Sequence, residues 1–350
     1  MVYNKTMKRS LQKSRNFEIR QFILEQVLNK TPHLTDLVRR HYKVSRQGAF
    51  KHIAALLKEG FLRASGRTTN RTYELGPRRF LHKSYAIKKG LGEDEIWAKD
   101  FSPLFQGLKA NVLNICEYGF TEIVNNALDH SDGSKLHITA EVSPGDIHIL
   151  IEDNGVGVFH KIQEEMGLPD PRLSLLELSK GKYTTDPDRH TGEGVFFTSK
   201  LCDAFVMRAG GLTFSHFSSA KFDSLVWADS EKIGTHVHLR INPATPRTTK
   251  GVFDQFTDRH IGFNKTIVPV KLAQFEGGNL ISRSQGKRLV SRFEDFRHVI
   301  LDFEDVDSIG RAFADEVFRV FARKYPKTKM VNVNTNKEID QAIRAVWKSV

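Results

Sequence analysis

The sequence predicts a multidomain α+β chain: a basic helical module closed by a β-hairpin, a central layered α/β body, and a small α/β domain after it. Three observations predict this. Charge is split, with 21 Lys and Arg against 5 Asp and Glu in residues 1–90, a net +16, and 32 against 36 in the remainder, a net −4, which together give +12. Glycine and polar residues cluster at the ends of apolar periodic runs between Glu122 and Gly194. Beyond residue 262, short apolar strands alternate with helical runs, the pattern of an α/β domain. The division expected is a basic arm 1–16, a helical module 17–76, a linker 77–104, the body 105–245, a linker 246–262 and a last domain 263–350.

In the N-terminal module, Ile19, Phe22, Ile23 and Val27 recur with helical spacing. A break at Thr31-Pro32 follows, with Thr35 as the expected cap of a short helix through Tyr42. Ser45 caps a third helix, Arg46 to Glu59, which Gly60 stops. Phe50, Ile53, Ala54 and Leu57 are its expected core face, leaving Arg46, Gln47 and Lys51 on early exposed turns. Phe61-Leu62, a turn at Gly66–Asn70 and Thr72–Leu75 then make a hairpin that carries Arg67 and Arg71.

In the body, Glu122, Asn126 and His130 share one helix face through their four-residue spacing. Such a polar stripe is either a solvated surface or the wall of a polar site. Ile147–Ile151 reads as a strand ending at Asp153-Asn154-Gly155-Val156-Gly157. Asp-Asn-Gly alone reads as a hairpin turn, but the helical residues 159–178 that follow are not a returning strand. Thr191-Gly192-Glu193-Gly194 opens another helical run, where free backbone N–H groups can meet an anion. A polar loop, 179–190, precedes it and holds Lys180, Lys182 and Arg189. Gly234-Thr235 leads into the strand 236–241.

In this order these clusters resemble the Bergerat ATP-binding fold of the family that includes gyrase B, Hsp90 and histidine kinases, over roughly residues 105–245. The resemblance implies an α/β sandwich that binds ATP with Mg²⁺. Asp153 would accept the adenine amino group, with Gly155, Gly157 and Thr235 beside it. Asn126 would hold Mg²⁺, and Glu122 would act as the candidate general base for an attacking water. Thr191, Gly192, Gly194 and Lys182 would meet the phosphates beneath a lid formed by the loop 179–190. No phosphorylatable histidine box precedes these motifs, which argues against a histidine kinase.

The N-terminal module resembles the winged helix-turn-helix of bacterial repressors. That resemblance implies DNA contacts from Arg46, Gln47 and Lys51 in the major groove, and from Arg67 and Arg71 on the hairpin. Residues 280–289 and 299–316 resemble a STAS-like domain. Its relatives carry a phosphoacceptor serine in Asp-Ser-Ser-Gly, whereas here Ile309 takes that place in Asp307-Ser308-Ile309-Gly310. Protein interaction or intramolecular docking is therefore its expected role, and Asp302, Asp305, Asp307, Asp315 and Glu316 read as a solvated acidic face.

Three functions follow as expectations: a nucleotide-responsive DNA-binding regulator of transcription, a slow ATPase or anti-sigma-type serine kinase, or a defence or signalling component whose winged helix docks protein. No apolar run of about 18 residues occurs, and neither a membrane partner nor a secretory leader is expected. Cys116 and Cys202 lie in apolar runs without metal-ligand spacing. The cytoplasm is the expected compartment, and a homodimer is left open.

Overall fold

A computed structural model of the protein describes residues 15–66 (17 and 21 excepted), 71–183, 192–219, 224–227, 233–258, 262–274 and 279–347. Its N-terminal module has three helices and a hairpin. Helix α1 is described over residues 15–16, 18–20 and 22–28, followed by α2 (Leu34–Tyr42), α3 (Arg46–Lys58) and the antiparallel strands β1 (Leu62–Ser65) and β2 (Thr72–Leu75). Ile23, Val38 and Ile53, one from each helix, are fully buried in a core of their own.

Ser45 caps α3 by accepting the Gly48 N–H at 3.0 Å, and Gly60 ends it with φ +81°, both as expected. Two details differ. Helix α2 starts at Leu34 after His33 in a left-handed conformation, without a side-chain cap, so Thr35 lies inside the helix. The buried face of α3 is Ala49, Ile53 and Leu56, one position out of phase with the expected one, and Phe50 is 45% exposed.

The residues expected as a linker, 77–104, belong to the central body. Strand β3 (Arg79–Ala86) pairs along its whole length with β4 (Lys135–Val142), and α4 (Glu93–Ile96) widens into a π turn, Trp97–Phe101, then a 3₁₀ turn, Ser102–Phe105. Trp97, Phe101 and Phe105 are buried against Phe120 or one another. Burial of three large aromatic rings supplies the area that makes this segment structural.

The seven-stranded sheet runs β3-β4-β5-β9-β6-β7-β8, every neighbour antiparallel, with β5 (Ile147–Asp153), β6 (Ala204–Ala209), β7 (Leu212–Phe217), β8 (Ser224–Trp227) and β9 (Thr235–Ile241). Strands β4 and β5 alternate buried and half-buried residues, so one face packs under helices. Those helices are α5 (Ala110–His130), α6 (Val158–Met166), α7 (Leu173–Lys180) and α8 (Gly194–Leu201). Helix α5 buries Val112, Ile115, Cys116, Phe120, Ile123 and Val124 on one stripe. Gly119 in that stripe lets the helix approach closely: a Cβ there would lie 3.1 Å from Leu239.

The second expected linker, 246–262, is also structured where described. Thr248 caps α9 (Thr249–Phe256) by accepting the Gly251 N–H. Phe253 and Phe256 pack on Phe197 and Phe196 of α8, and the short strands β10 (Thr257–Asp258) and β11 (Gly262–Phe263) follow.

The last domain has a parallel sheet β12-β13-β14, formed by Lys265–Pro269, His298–Asp302 and Lys329–Val333. Parallel neighbours need crossovers. Helix α10 (Arg283–Val290) makes the first, and α11 (Arg311–Ala314), a π turn (Asp315–Phe321) and α12 (Ala322–Lys324) make the second; α13 (Lys337–Trp347) closes the domain. Ile309 is buried and bridges to Leu280. The acidic residues are largely paired, Asp305 with Lys271, Asp315 with Arg319 and Arg283, and Glu316 with Arg283. No group of three or more His, Cys, Asp or Glu able to hold a metal occurs among the described residues.

Candidate nucleotide site

Strand β5 delivers Asp153 to the floor of a cavity of about 300 Å³. The aspartate is buried, and its Oδ1 accepts the backbone N–H of Gly155 at 2.8 Å and of Thr235 at 3.1 Å. Burial raises the Asp153 carboxyl above its ordinary value, opposed by these two donors, by the Thr235 side chain and by nearby His236. Thr235 Oγ1 in turn accepts the Val158 N–H at 3.0 Å, so the start of β9 is stitched to the first turn of α6.

Glycine is required around this aspartate. A Cβ at Gly234 would lie 2.0 Å from the Asp153 carbonyl oxygen, and one at Gly155 would lie 1.9 Å from that of Ser131. Gly157 adopts φ +86° at the entrance to α6. Gly155 supports the turn from behind and does not line the cavity, whereas Gly157 does.

Helix α5 forms the opposite wall with Glu122, Asn125, Asn126 and His130. The Glu122 carboxylate rests against the first residue of α8: a Cβ on Gly194 would come within 2.0 Å of its Oε2. Tyr118 hydrogen-bonds to Glu122, and burial together with that carboxylate raises its phenol pKa. A buried acceptor, glycine-bared backbone at two helix starts and a polar helix face fit a ligand with a hydrogen-bond donor at one end and anionic charge at the other.

Residues 116–245 match the family described as histidine kinase-, DNA gyrase B- and HSP90-like ATPase. The chain carries an ATPase domain of this family. Residues 285–340 match a STAS-like domain of unknown function. No curated protein matches the chain. The ATPase domain seen in three dimensions is wider than its match, because β3 and the helical turns through Phe105 complete its sheet and core.

Of the residues expected at the site, Glu122, Asn126, Asp153, Gly157, Gly192, Gly194 and Thr235 line one cavity. Thr191, Arg189 and Arg67 lie outside the described residues. Lys182 is a correction. Its ammonium donates to the Asp295 carbonyl oxygen at 2.8 Å and sits 4.8 Å above the Phe296 ring, and Lys182 does not line the cavity. Lys180 is another: it is 0% exposed, paired with Glu177 at 2.6 Å, and donates to the carbonyl oxygens of Arg288 and Ser291, both at 3.0 Å. These three bonds use every N–H of the ammonium.

Sequence reasoning missed Asn125, Lys161, Glu165 and Tyr183, which also line the cavity. Lys161 and Glu165 stand one turn apart on α6, a spacing readable once Gly157 is taken as the helix start. Tyr183 donates its hydroxyl to Glu165 Oε2 at 2.7 Å, a contact for which no local sequence signal exists. In the N-terminal module, Arg46, Gln47, Lys51 and Arg71 are exposed.

Proposed function

We propose that the protein is an ATP-binding regulator that binds DNA through its N-terminal module, with nucleotide state biasing that binding. The ATPase domain supports adenine-nucleotide binding and a regulatory role. One observation carries the finer reading: the module with Arg46, Gln47 and Lys51 exposed on α3 runs into the edge strand of the nucleotide-binding sheet through the short connection 76–78. Gly76 N–H donates to Phe61 O at 2.7 Å and Arg78 N–H to Gly60 O at 3.2 Å, so this joint is braced. Arg78–Glu141 and Lys83–Glu25 ion pairs and the packing of Phe80 on the module's core fasten it further.

In this reading the adenine amino group meets Asp153, with Gly157 and Thr235 alongside. Thr191, Gly192 and Gly194 offer backbone to the phosphates, with Lys161 as a cation on the cavity wall. Asn126 supplies an oxygen to Mg²⁺, which takes oxygen ligands and neutralises phosphate charge. Arg46 and Gln47 are side chains able to make paired hydrogen bonds to base edges, each worth about 1–3 kcal/mol of discrimination.

The test is duplex-DNA affinity of the full chain with ATP, ADP and no nucleotide, over a salt series. Coupling requires different affinities in the three states, and phosphate contacts require a steep loss with salt. Equal affinities remove the coupling. Absence of salt-dependent DNA binding removes the DNA reading and favours protein docking by the module. A second reading, slow ATP hydrolysis or serine phosphotransfer, is favoured by Glu122 facing the cavity beside Gly194. It requires turnover that Glu122→Ala abolishes while nucleotide binding persists.

A further inference from the structure

We propose that the STAS-like domain completes the nucleotide site, with Arg292 as a positioning residue that holds the cavity rim at Glu177 and Tyr183. This rests on the nucleotide reading of the cavity and adds to it a dependence on a second domain.

The rim is the end of α7 and the residues after it. Glu177, 4% exposed, receives Lys180 on Oε1 and Arg292 Nη1 on Oε2, the latter at 3.2 Å. Arg292 Nη2 donates to the Gly181 carbonyl oxygen at 2.8 Å, and its guanidinium lies 5.7 Å from the centre of the Tyr183 ring. Tyr183 and its partner Glu165 both line the cavity. One arginine from outside the ATPase domain therefore touches Glu177, Gly181 and Tyr183, and the last of these lines the cavity.

Its neighbours do the same. Thr266 of β12 donates to the Lys180 carbonyl oxygen at 2.8 Å. Gly181, at φ +78°, fits against Phe263, whose ring a Cβ would meet at 2.7 Å. Lys182 reaches Asp295 and Phe296. Each of the four residues 180–183 is thus tied to the segment 263–296, and Gly192 at the cavity packs back on Tyr183, with a Cβ there 2.4 Å from its carbonyl oxygen.

The contacts have a built character. Burial lowers the Lys180 pKa, and the Glu177 carboxylate offsets that by supporting its charge. Arg292 itself stands at φ +64°, a left-handed conformation uncommon for a non-glycine residue, and its fork spans Glu177 and Gly181 together. If the rim is set by this fork, nucleotide affinity and seating of the STAS-like domain are linked, and each must alter the other by the same factor.

The experiment is calorimetry of ATP and ADP with Mg²⁺ on the full chain, comparing wild type with Arg292→Ala, Arg292→Lys and Lys182→Ala, and amide exchange of residues 288–296 with and without ATP. Arg292→Ala is expected to weaken ATP binding about tenfold, Arg292→Lys to recover part of that loss, and Lys182→Ala to weaken it less. ATP is expected to slow exchange across 288–296 in the wild type, a readout that a merely structural arginine would not move. Lys182→Ala, half-buried and outside the cavity, keeps the test decisive if Arg292→Ala does not fold. Unchanged affinity in the folded variants, or exchange at 288–296 indifferent to ATP, overturns the proposal. A wild type that binds no adenine nucleotide defeats the underlying reading as well, and is recognised before any variant is made.

Discussion

Between the N-terminal module and the ATPase sheet, the joint consists of two backbone hydrogen bonds, the packing of Phe80 and the partly exposed ion pairs Arg78–Glu141 and Lys83–Glu25, and the two hydrophobic cores stay separate. Between the ATPase and STAS-like domains, one continuous core runs through Phe196, Phe263 and Phe296, and the charges at the joint, Lys180 and Glu177, are buried. Exposed pairs are screened and contribute little, whereas a buried charge left without its partner is costly. The ion pairs of the first joint therefore hold it less strongly than the buried pair holds the second.

Substitutions can break this contrast in order of size. The largest effect is expected from Glu177→Gln, which removes the countercharge of Lys180 and Arg292. It should cost about 3–5 kcal/mol of stability, read as a lower denaturant midpoint; a loss below about 1 kcal/mol would place the two joints on the same footing. Gly194→Ala comes next, because its Cβ would lie 2.0 Å from the Glu122 carboxylate and force it to move. Nucleotide affinity should fall by roughly tenfold or more, equivalent to about 1.4 kcal/mol, with a smaller change in melting temperature.

Asp153→Asn should weaken adenine binding by about 1.5–3 kcal/mol, the scale of a hydrogen bond to a charged group, measured by calorimetry. Protonation of Asp153 has the same sense. Its carboxyl is raised by burial, so the acceptor is lost as pH falls through that raised value, sooner than for an ordinary aspartate. The corresponding stability sign is opposite to the common one: a raised carboxyl destabilises the folded state as pH climbs from the unfolded value to the folded one. Arg78→Ala should be smallest in stability, about 0–1 kcal/mol and less in high salt, while reducing any nucleotide effect on DNA affinity. If it instead matched Glu177→Gln in the same melt, the outer joint would be as rigid as the inner one.

Much of the ATPase site was legible because its requirements are local. Asp153 closes an alternating strand, Gly157 and Gly192 occupy backbone conformations that favour glycine, and the polar residues of α5 repeat at helical spacing. Ser45 and the Thr72–Leu75 strand were readable for the same reason. What failed depended on partners distant in sequence. Lys180 and Lys182 sit in a polar stretch that looks solvated, and apart from Glu177 the groups that take their ammonium protons lie more than a hundred positions later.

The misread linkers have a similar cause. Strand β3 carries three basic residues and is half-exposed along an edge, so its apolar signal is diluted until β4 is beside it. In α9 the cap at Thr248 was a local signal, but the Pro- and Thr-rich approach to it hid a helix whose phenylalanines belong to the neighbouring domain. Phe50 fell on the wrong side because one residue of phase, about 100° on a helix, separates it from Ala49.

The pairing of β3 with β4 also limits how the N-terminal module can travel. Sliding β3 by one residue would turn Leu81 from the core to the outside and bring polar neighbours such as His82 and Ser84 inward. Gradual creep along the sheet is thus barred. The module must either pivot about the glycine–proline corner at 76–77 or peel its whole strand away, so its repertoire consists of discrete poses rather than a continuum.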